Sequence, residues 1–301
     1  MTYDCIIVGG GIAGLQAAIQ LGRYSAHSIL VIDAGRGRSS LCLSYHNILG
    51  WPEGISGAEL RQRGRAQAAL AGVKFTKDTI TEANKTGGLF CLKGQGGAAY
   101  EARTLLLATG LMDRFPDLPG LVPTLGKSVY VCPDCDGFEI QNTSTVTMGS
   151  GDSGANMALL LSERARTMVY INHERAPVKS ELLAAMRHKG IKYIESPIYR
   201  VLEEEGRIQG VLLENKDLVP VERGFISFGG NHVHSELAES LGADLYHNRH
   251  VEADPRTRMT RVDHLWVAGD LGVHAEQVTV AMGDGVMAAI SINKSLREMK
   301  S

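Results

Sequence analysis

The chain has 301 residues, 44% of them apolar, 21% charged and 6% aromatic, with a formal net charge of −2. That length favours two domains, and the near-neutral balance with few aromatic residues excludes the basic field and stacking surface that nucleic acid requires. No apolar run approaches the length of a membrane span and Met1-Thr2-Tyr3-Asp4 lacks the features of a secretory signal, so we expect no membrane partner and a cytoplasmic protein whose five cysteines are mostly reduced.

The first predicted elements form a βαβ unit: a strand from Tyr3 to Val8, a glycine turn, a helix from Ile12 to Gly22 and a strand from Ile29 to Ile32 that ends in Asp33. Gly9, Gly11 and Gly14 supply a GxGxxG pattern between strand and helix, where missing side chains let the backbone approach a pyrophosphate at the helix N-terminus. Asp33 follows Gly14 by 19 residues, which suits a carboxylate that binds a ribose hydroxyl.

Residues 39–103 are less regular, with a loop rich in small residues, a helical stretch from Ala58 to Ala71 and strand-like segments ending at Tyr100. A strand from Thr104 to Leu107 then stops at Ala108-Thr109-Gly110, where the backbone can approach a ligand closely. Pro116 to Gly120 reads as a linker.

Cys132-Pro133-Asp134-Cys135-Asp136-Gly137 follows, and two cysteines separated by two residues can cycle between a disulfide and a dithiol whose thiolate has a lowered pKa. The competing reading, a structural zinc site, needs a second pair of ligands at matching spacing, whereas Cys5, Cys42 and Cys91 stand singly.

A second βαβ unit runs from a strand at Val146–Met148 through Gly149-Ser150-Gly151-Asp152-Ser153-Gly154, a helix from Ala155 to Arg164 and a strand from Met168 to Ile171. Two fingerprints imply two dinucleotides. Gly206 to Leu213 and Val221 to Phe228 are strand-like, and a final strand from Leu265 to Ala268 ends in Gly269-Asp270 ahead of a helix from Glu276 to Met299. A carboxylate at that strand end suits a polyol hydroxyl, its alternative being a helix cap.

With the GGGIAG turn, the ATG strand end, the mid-chain CxxC-D-G, the GSGDSG turn and the C-terminal AGD in place, the chain resembles the low-molecular-weight thioredoxin reductases over essentially its whole length. The resemblance implies an α/β fold of two Rossmann-like, three-layer dinucleotide-binding domains, the second inserted in the first: an FAD domain of residues 1–112 and 232–301 around a nicotinamide-type domain of residues 113–231 that carries the cysteines. It also implies a homodimer. Carried over by position, FAD contacts Gly9, Gly11, Ile12, Ala13, Gly14, Asp33, Asn47, Ala108, Thr109, Gly110, Gly269, Asp270 and Gln277, and the candidates for NADH or NADPH are Gly149, Gly151, Asp152, Gly154 and Glu174. Cys135 would face the flavin, Cys132 would attack a substrate disulfide, and Asp136 would be the acid/base for the departing thiol, with Asp134 as its alternative. The implied partner is thioredoxin or a related small redox protein.

Two departures from the family pattern stand out. Family members that use NADPH carry a histidine and two arginines after the second strand of the nicotinamide domain, but Asn172-His173-Glu174-Arg175 sets a carboxylate where a 2′-phosphate wants a cation. This argues against ordinary NADPH binding and leaves NADH, another donor or no nicotinamide. The segment Tyr45 to Trp51 and the Pro-Asp pair between the cysteines resemble a branch that includes dithiol oxidases, which close disulfides in small molecules and pass electrons to oxygen. In that alternative the partner is a small dithiol, and His46 is a base near the thiols or a structural loop residue.

Overall fold

The structure, a computed structural model, describes residues 1–300. In chain order the first span carries β1 (Thr2–Val8), α1 (Ile12–Gly22), β2 (Ile29–Asp33), α2 (Arg38–Leu41), α3 (Gly57–Leu70), β3 (Lys74–Lys77), β4 (Ile80–Thr86), β5 (Leu89–Gly94), β6 (Ala99–Leu107) and β7 (Leu111–Met112). The middle carries β8 (Val129–Tyr130), α4 (Pro133–Asp136), β9 (Ser144–Gly149), α5 (Gly151–Leu161), β10 (Thr167–Asn172), α6 (Ser180–His188), β11 (Lys192–Ile194), β12 (Ile198–Glu204), β13 (Arg207–Leu213), β14 (Leu218–Pro220) and β15 (Arg223–Ser227). The last span adds β16 (His232–Val233), α7 (Glu236–Ser240), β17 (Leu265–Val267) and α8 (Val278–Glu298).

Two compact units result: Met1–Ser40 with Ala58–Met112 and Val233–Ser301, and Leu41–Gly57 with Asp113–His232. In the first, β3-β2-β1-β6-β5-β4 form one sheet and β17 adds to β6. Strands β2, β1, β6 and β17 run parallel, so β1, β2, β6 and β17 all end on the same edge. Both faces of β1 are buried, Cys5 and Ile7 in one core and Ile6 and Val8 in the other, as a central parallel strand demands. The close approach of α1 and α8 depends on glycine: a Cβ at Gly285 would lie 2.4 Å from the Ala13 carbonyl oxygen.

The second unit has a parallel sheet, β11-β10-β9-β15-β8, and an antiparallel one, β12-β13-β14. One core holds Ala155, Ala158 and Leu161 of α5 with Met186 of α6, and the other packs Val201 and Val211 of the antiparallel sheet against Val146 and Met148 of β9. The α/β fold of two three-layer units is that of the sequence expectation. Boundaries differ where the fingerprint enters the helix, since α5 starts at Gly151 rather than Ala155. Residues Leu41–Gly57, expected within 1–112, group with the second unit: the Leu43 amide donates to the Leu125 carbonyl (3.1 Å) and Leu41 packs on the core around Leu121 and Leu125. Among the described residues no helix is long and apolar enough to cross a membrane.

Candidate active site

In the first unit the predicted residues converge at the carboxyl edge of the parallel strands. Gly9 has φ +112°, open to glycine, and a Cβ there would lie 2.2 Å from the Ala108 oxygen, so the first turn and the ATG strand end touch. A Cβ at Gly14 would strike the Gly9 oxygen at 2.0 Å, which packs α1 onto the turn. Gly11 differs: nothing lies within 4 Å of its Cβ position. It is the N-cap of α1, with no side-chain cap and no acidic residue in the first turn. The Ile12, Ala13 and Gly14 amides therefore head an uncapped helix beside open space, the arrangement that suits a pyrophosphate.

Asp33 Oδ1 accepts from the Gly10 amide (3.3 Å) and the Gly35 amide (3.1 Å), while Oδ2 pairs with Arg61 Nη2 at 3.0 Å. Arg61 also donates to the Gly10 carbonyl (3.2 Å), a role the sequence did not signal. Thr109 Oγ1 donates to the His234 carbonyl (2.7 Å) and the His234 amide to the Gly110 carbonyl (3.0 Å), which fixes the ATG strand end. At the end of β17, Gly269 (φ +74°) abuts Ala13, and Asp270 lies 3.3 Å from Arg38 Nη1. Gln277 is the N-cap of α8 but its side chain caps nothing. Asn47 is exposed and lies in the 41–57 segment that groups with the second unit.

In the second unit Cys132 and Cys135 form a disulfide, with Cα atoms 5.3 Å apart. Cys132 is the N-cap of α4, its Sγ accepting the Cys135 amide at 3.1 Å. That donor stabilises negative charge on the Cys132 sulfur once the bond opens. Asp136 is half-buried and Asp134 exposed, as a solvated turn residue should be. His46 Nδ1 stands 3.9 Å from Glu139 Oε1, on the helical turn that follows the cysteines. Cys5 is buried, its thiol pushed up to about 12 by desolvation, and so is unreactive.

The second fingerprint is also assembled at a sheet edge, but it is closed. Gly151 is buried, and a Cβ on it would lie 3.1 Å from the Pro177 oxygen and 3.3 Å from the Ala176 Cβ. Its amide donates to Oδ1 of the buried Asn172 (3.1 Å), whose Nδ2 in turn donates to the Ala176 carbonyl (2.8 Å). Asp152 Oδ1 accepts the Lys179 amide (2.9 Å). Both oxygens of Glu174 are gripped by Arg114, at 2.7 and 2.9 Å, and Arg114 is anchored on the Gly229 and Phe228 carbonyls. The Arg114 hydrogen bonds hold the Glu174 carboxyl down to about 2. His173 accepts the Ile198 amide at Nδ1 (2.8 Å), and burial lowers its pKa, so it is no ready cation for a phosphate. Arg114 escaped notice in the sequence because its partner lies 60 positions away.

Residues 3–285 match the pyridine nucleotide-disulphide oxidoreductase family. The chain belongs to that family. Within it the chain is of the low-molecular-weight, thioredoxin reductase-like class, an oxidoreductase acting on a sulfur group. It is 28% identical over 306 residues to the thioredoxin reductase of Helicobacter pylori, covering 96% of this chain and 97% of that one. It is 27% identical over 304 residues to the bifunctional thioredoxin reductase/thioredoxin of Mycobacterium leprae, where 98% of this chain spans 66% of the relative. A thioredoxin reductase from Streptococcus pyogenes shares the fold, with a TM-score of 0.86 at 23% identity and 99% of both chains covered.

Proposed function

We propose that the chain is an FAD-dependent thiol–disulfide oxidoreductase that moves electron pairs between bound flavin, the Cys132–Cys135 disulfide and the disulfide or dithiol of a thioredoxin-like partner. The observation that carries this reading is the disulfide itself, formed at the start of α4 with a backbone donor on Cys132 Sγ and a carboxylate at Asp136. The FAD domain would comprise 1–40, 58–112 and 233–301, the inserted unit being 113–232 with the 41–57 segment grouped on it, and the active form would be a homodimer.

The first fingerprint fits the cofactor: an uncapped helix N-terminus, open space beside Gly11, a carboxylate at Asp33 and a second at Asp270 lie on one sheet edge. When bound, FAD supplies a two-electron store that a disulfide can empty or a dithiol can fill. The remaining steps belong to the chain's own groups. In the reduced pair the Cys132 thiolate attacks one sulfur of a partner disulfide, the other partner sulfur leaves, and Asp136 donates the proton it needs. Cys135 then attacks Cys132 in the mixed disulfide, which releases the second partner thiol and re-forms the intramolecular bond. Run backwards, the same groups oxidise a dithiol.

The second fingerprint does not fit a nicotinamide dinucleotide in the same way: carboxylates are bonded at both turns, but here the Gly151 amide is taken by Asn172 and covered by Ala176 and Pro177, where Gly11 faces open space. Reduction by NADPH or NADH is therefore expected to be slow. The closed turn favours a second reading, in which electrons enter as a dithiol and leave the flavin to an acceptor such as oxygen. Anaerobic titration of the yellow protein separates the two: bleaching by dithiols under conditions where NADPH and NADH act slowly supports the second, and rapid bleaching by a nicotinamide supports a reductase that runs from nucleotide to thioredoxin. A protein that stays colourless after addition of FAD removes both.

A further inference from the structure

The buried stripe of α8 runs Ala281, Asp284, Gly285, Ala288, Ala289, Ile292 and Leu296, and a carboxylate interrupts it. Asp284 is 3% exposed, and a buried charge persists only where it is paired and hydrogen-bonded. Three nitrogens approach its Oδ2: the Gly269 amide at 3.1 Å, His274 Nε2 at 2.6 Å and Arg258 Nη2 at 3.1 Å. The first two are directed hydrogen bonds, whereas Arg258 is close enough for an ion pair without the alignment of a hydrogen bond. Arg258 holds φ +62°, a left-handed conformation rare for a non-glycine residue and kept only where surroundings enforce it.

The place of this carboxylate is informative. Its neighbour Gly285 packs on the first turn of α1, and Gly269, whose amide it holds, abuts Ala13 of that same turn. Gly269 also precedes Asp270, and the His274 that caps the carboxylate lies in the segment leading to Gln277. Asp284 thus stands behind three segments that carry proposed FAD contacts. Around them Arg38 bridges Asp270 (3.3 Å) and Glu276 (2.8 Å), and Glu276 lies 3.6 Å from the buried His250.

We propose that Asp284 is a positioning residue for FAD, holding the Gly269 amide so that the turn presents Asp270 to the cofactor, and that His274 tunes this hold with pH. The inference rests on the flavin reading above. The hydrogen bond to Asp284 raises the pKa of His274 above its ordinary value, against the opposing effect of burial. A raised histidine pKa means that its charge-assisted contribution is complete below the unfolded value of 6.5 and is lost as pH rises through the folded value. The groups that face His274 are Asp284 and Arg258, with Glu276, His250, Arg38 and Asp270 beyond them. Deprotonation leaves a neutral N–H still able to donate, so the effect is a weakening and not a loss, on the order of fivefold in affinity.

The test is FAD release from the holoprotein, followed by flavin fluorescence from about pH 6 to about pH 9, with melting temperature recorded alongside. Wild-type affinity should fall about fivefold across that range. His274→Gln leaves Arg258 paired with Asp284 and should hold a flat profile near the wild-type high-pH affinity, and Asp284→Asn should weaken FAD about tenfold or more at every pH. An unchanged pH slope in His274→Gln, or unchanged FAD affinity in a folded Asp284→Asn variant, overturns the proposal. Should Asp284→Asn fail to fold, the His274→Gln profile decides. Wild-type protein that takes up no FAD at any pH overturns the flavin reading itself, a result distinct from any failure of the variants.

Discussion

The two glycine turns of this chain, GGGIAG and GSGDSG, follow the same spacing rule and end in opposite surfaces. At the first, Gly9 takes the left-handed conformation, the Gly11 side faces open space and the first turn of α1 is uncapped. At the second, the left-handed residue is Gly151 instead, its amide is consumed by Asn172, and Ala176 and Pro177 cover it. A fingerprint specifies a strand, a tight turn and a helix start. Whether the amides of that helix face a ligand is decided by residues the motif does not contain.

If the inserted unit works through its cysteines and not through its fingerprint, the largest effect belongs to them. Cys132→Ser and Cys135→Ser should each abolish turnover of disulfide substrates, whereas serine at Cys5, Cys42 or Cys91 should leave turnover intact, and thiol titration with and without reductant should differ by two. Undiminished turnover in Cys135→Ser would sink the assignment. Asp136→Asn should slow turnover by roughly a hundredfold or more, the scale of a general acid/base.

Next in size is the contrast between the glycines themselves. Gly11 is extended (φ −79°) with room for a side chain, so Gly11→Val should fold normally yet fill the space meant for a pyrophosphate. Its FAD affinity should drop about a hundredfold, the scale of a ~3 kcal/mol steric clash. Gly151→Val meets a left-handed backbone and a filled surface, so it should destabilise the protein by about 1–3 kcal/mol while FAD affinity stays the same. Equal loss of FAD in both variants would erase the distinction.

How legible was this in the sequence? The β1–α1–β2 unit was readable because all its determinants are local: a buried strand, three glycines and an acid at fixed spacing. The cysteine pair was readable for the same reason. The closure of the second turn was not, since it joins Asn172, Ala176 and Arg114 through contacts that no local pattern encodes. The charge reading at Glu174 saw a carboxylate without its partner, and the structure shows it neutralised by Arg114, which precedes the Pro116–Gly120 linker. Asp284 left one usable signal, a carboxylate inside the apolar stripe of a long helix, but its partners Gly269, His274 and Arg258 converge only in three dimensions.

A smaller effect tests whether the Arg114 pair also bars the nucleotide. Replacing Arg114 with Ala and Glu174 with Arg removes the clamp and supplies a cation, which at a solvent-accessible site is worth roughly 1–3 kcal/mol. NADPH-driven flavin reduction should rise, but modestly, because Asn172 still holds the Gly151 amide and the 176–177 segment is unchanged. Wild-type flavin that NADPH reduces faster than dithiols do would show that the closed turn opens in solution.

The smallest effect is the stability that this clamp gives the second unit. Arg114 depresses the folded-state pKa of Glu174 to about 2, from an ordinary value of 4.5. A depressed carboxyl pKa stabilises the fold above the unfolded value and loses that contribution as pH falls through the folded one. The pair is bidentate and anchored on two carbonyls, yet both side chains are about a third or more exposed, so it should contribute no more than about 1 kcal/mol, the upper end for exposed ion pairs. Glu174→Gln should therefore melt below wild type near neutral pH, with the gap narrowing as pH falls from about 4.5 towards about 2. A gap that stays constant across that window would mean the glutamate stabilises by packing alone, and the clamp would then owe its place to geometry instead of charge.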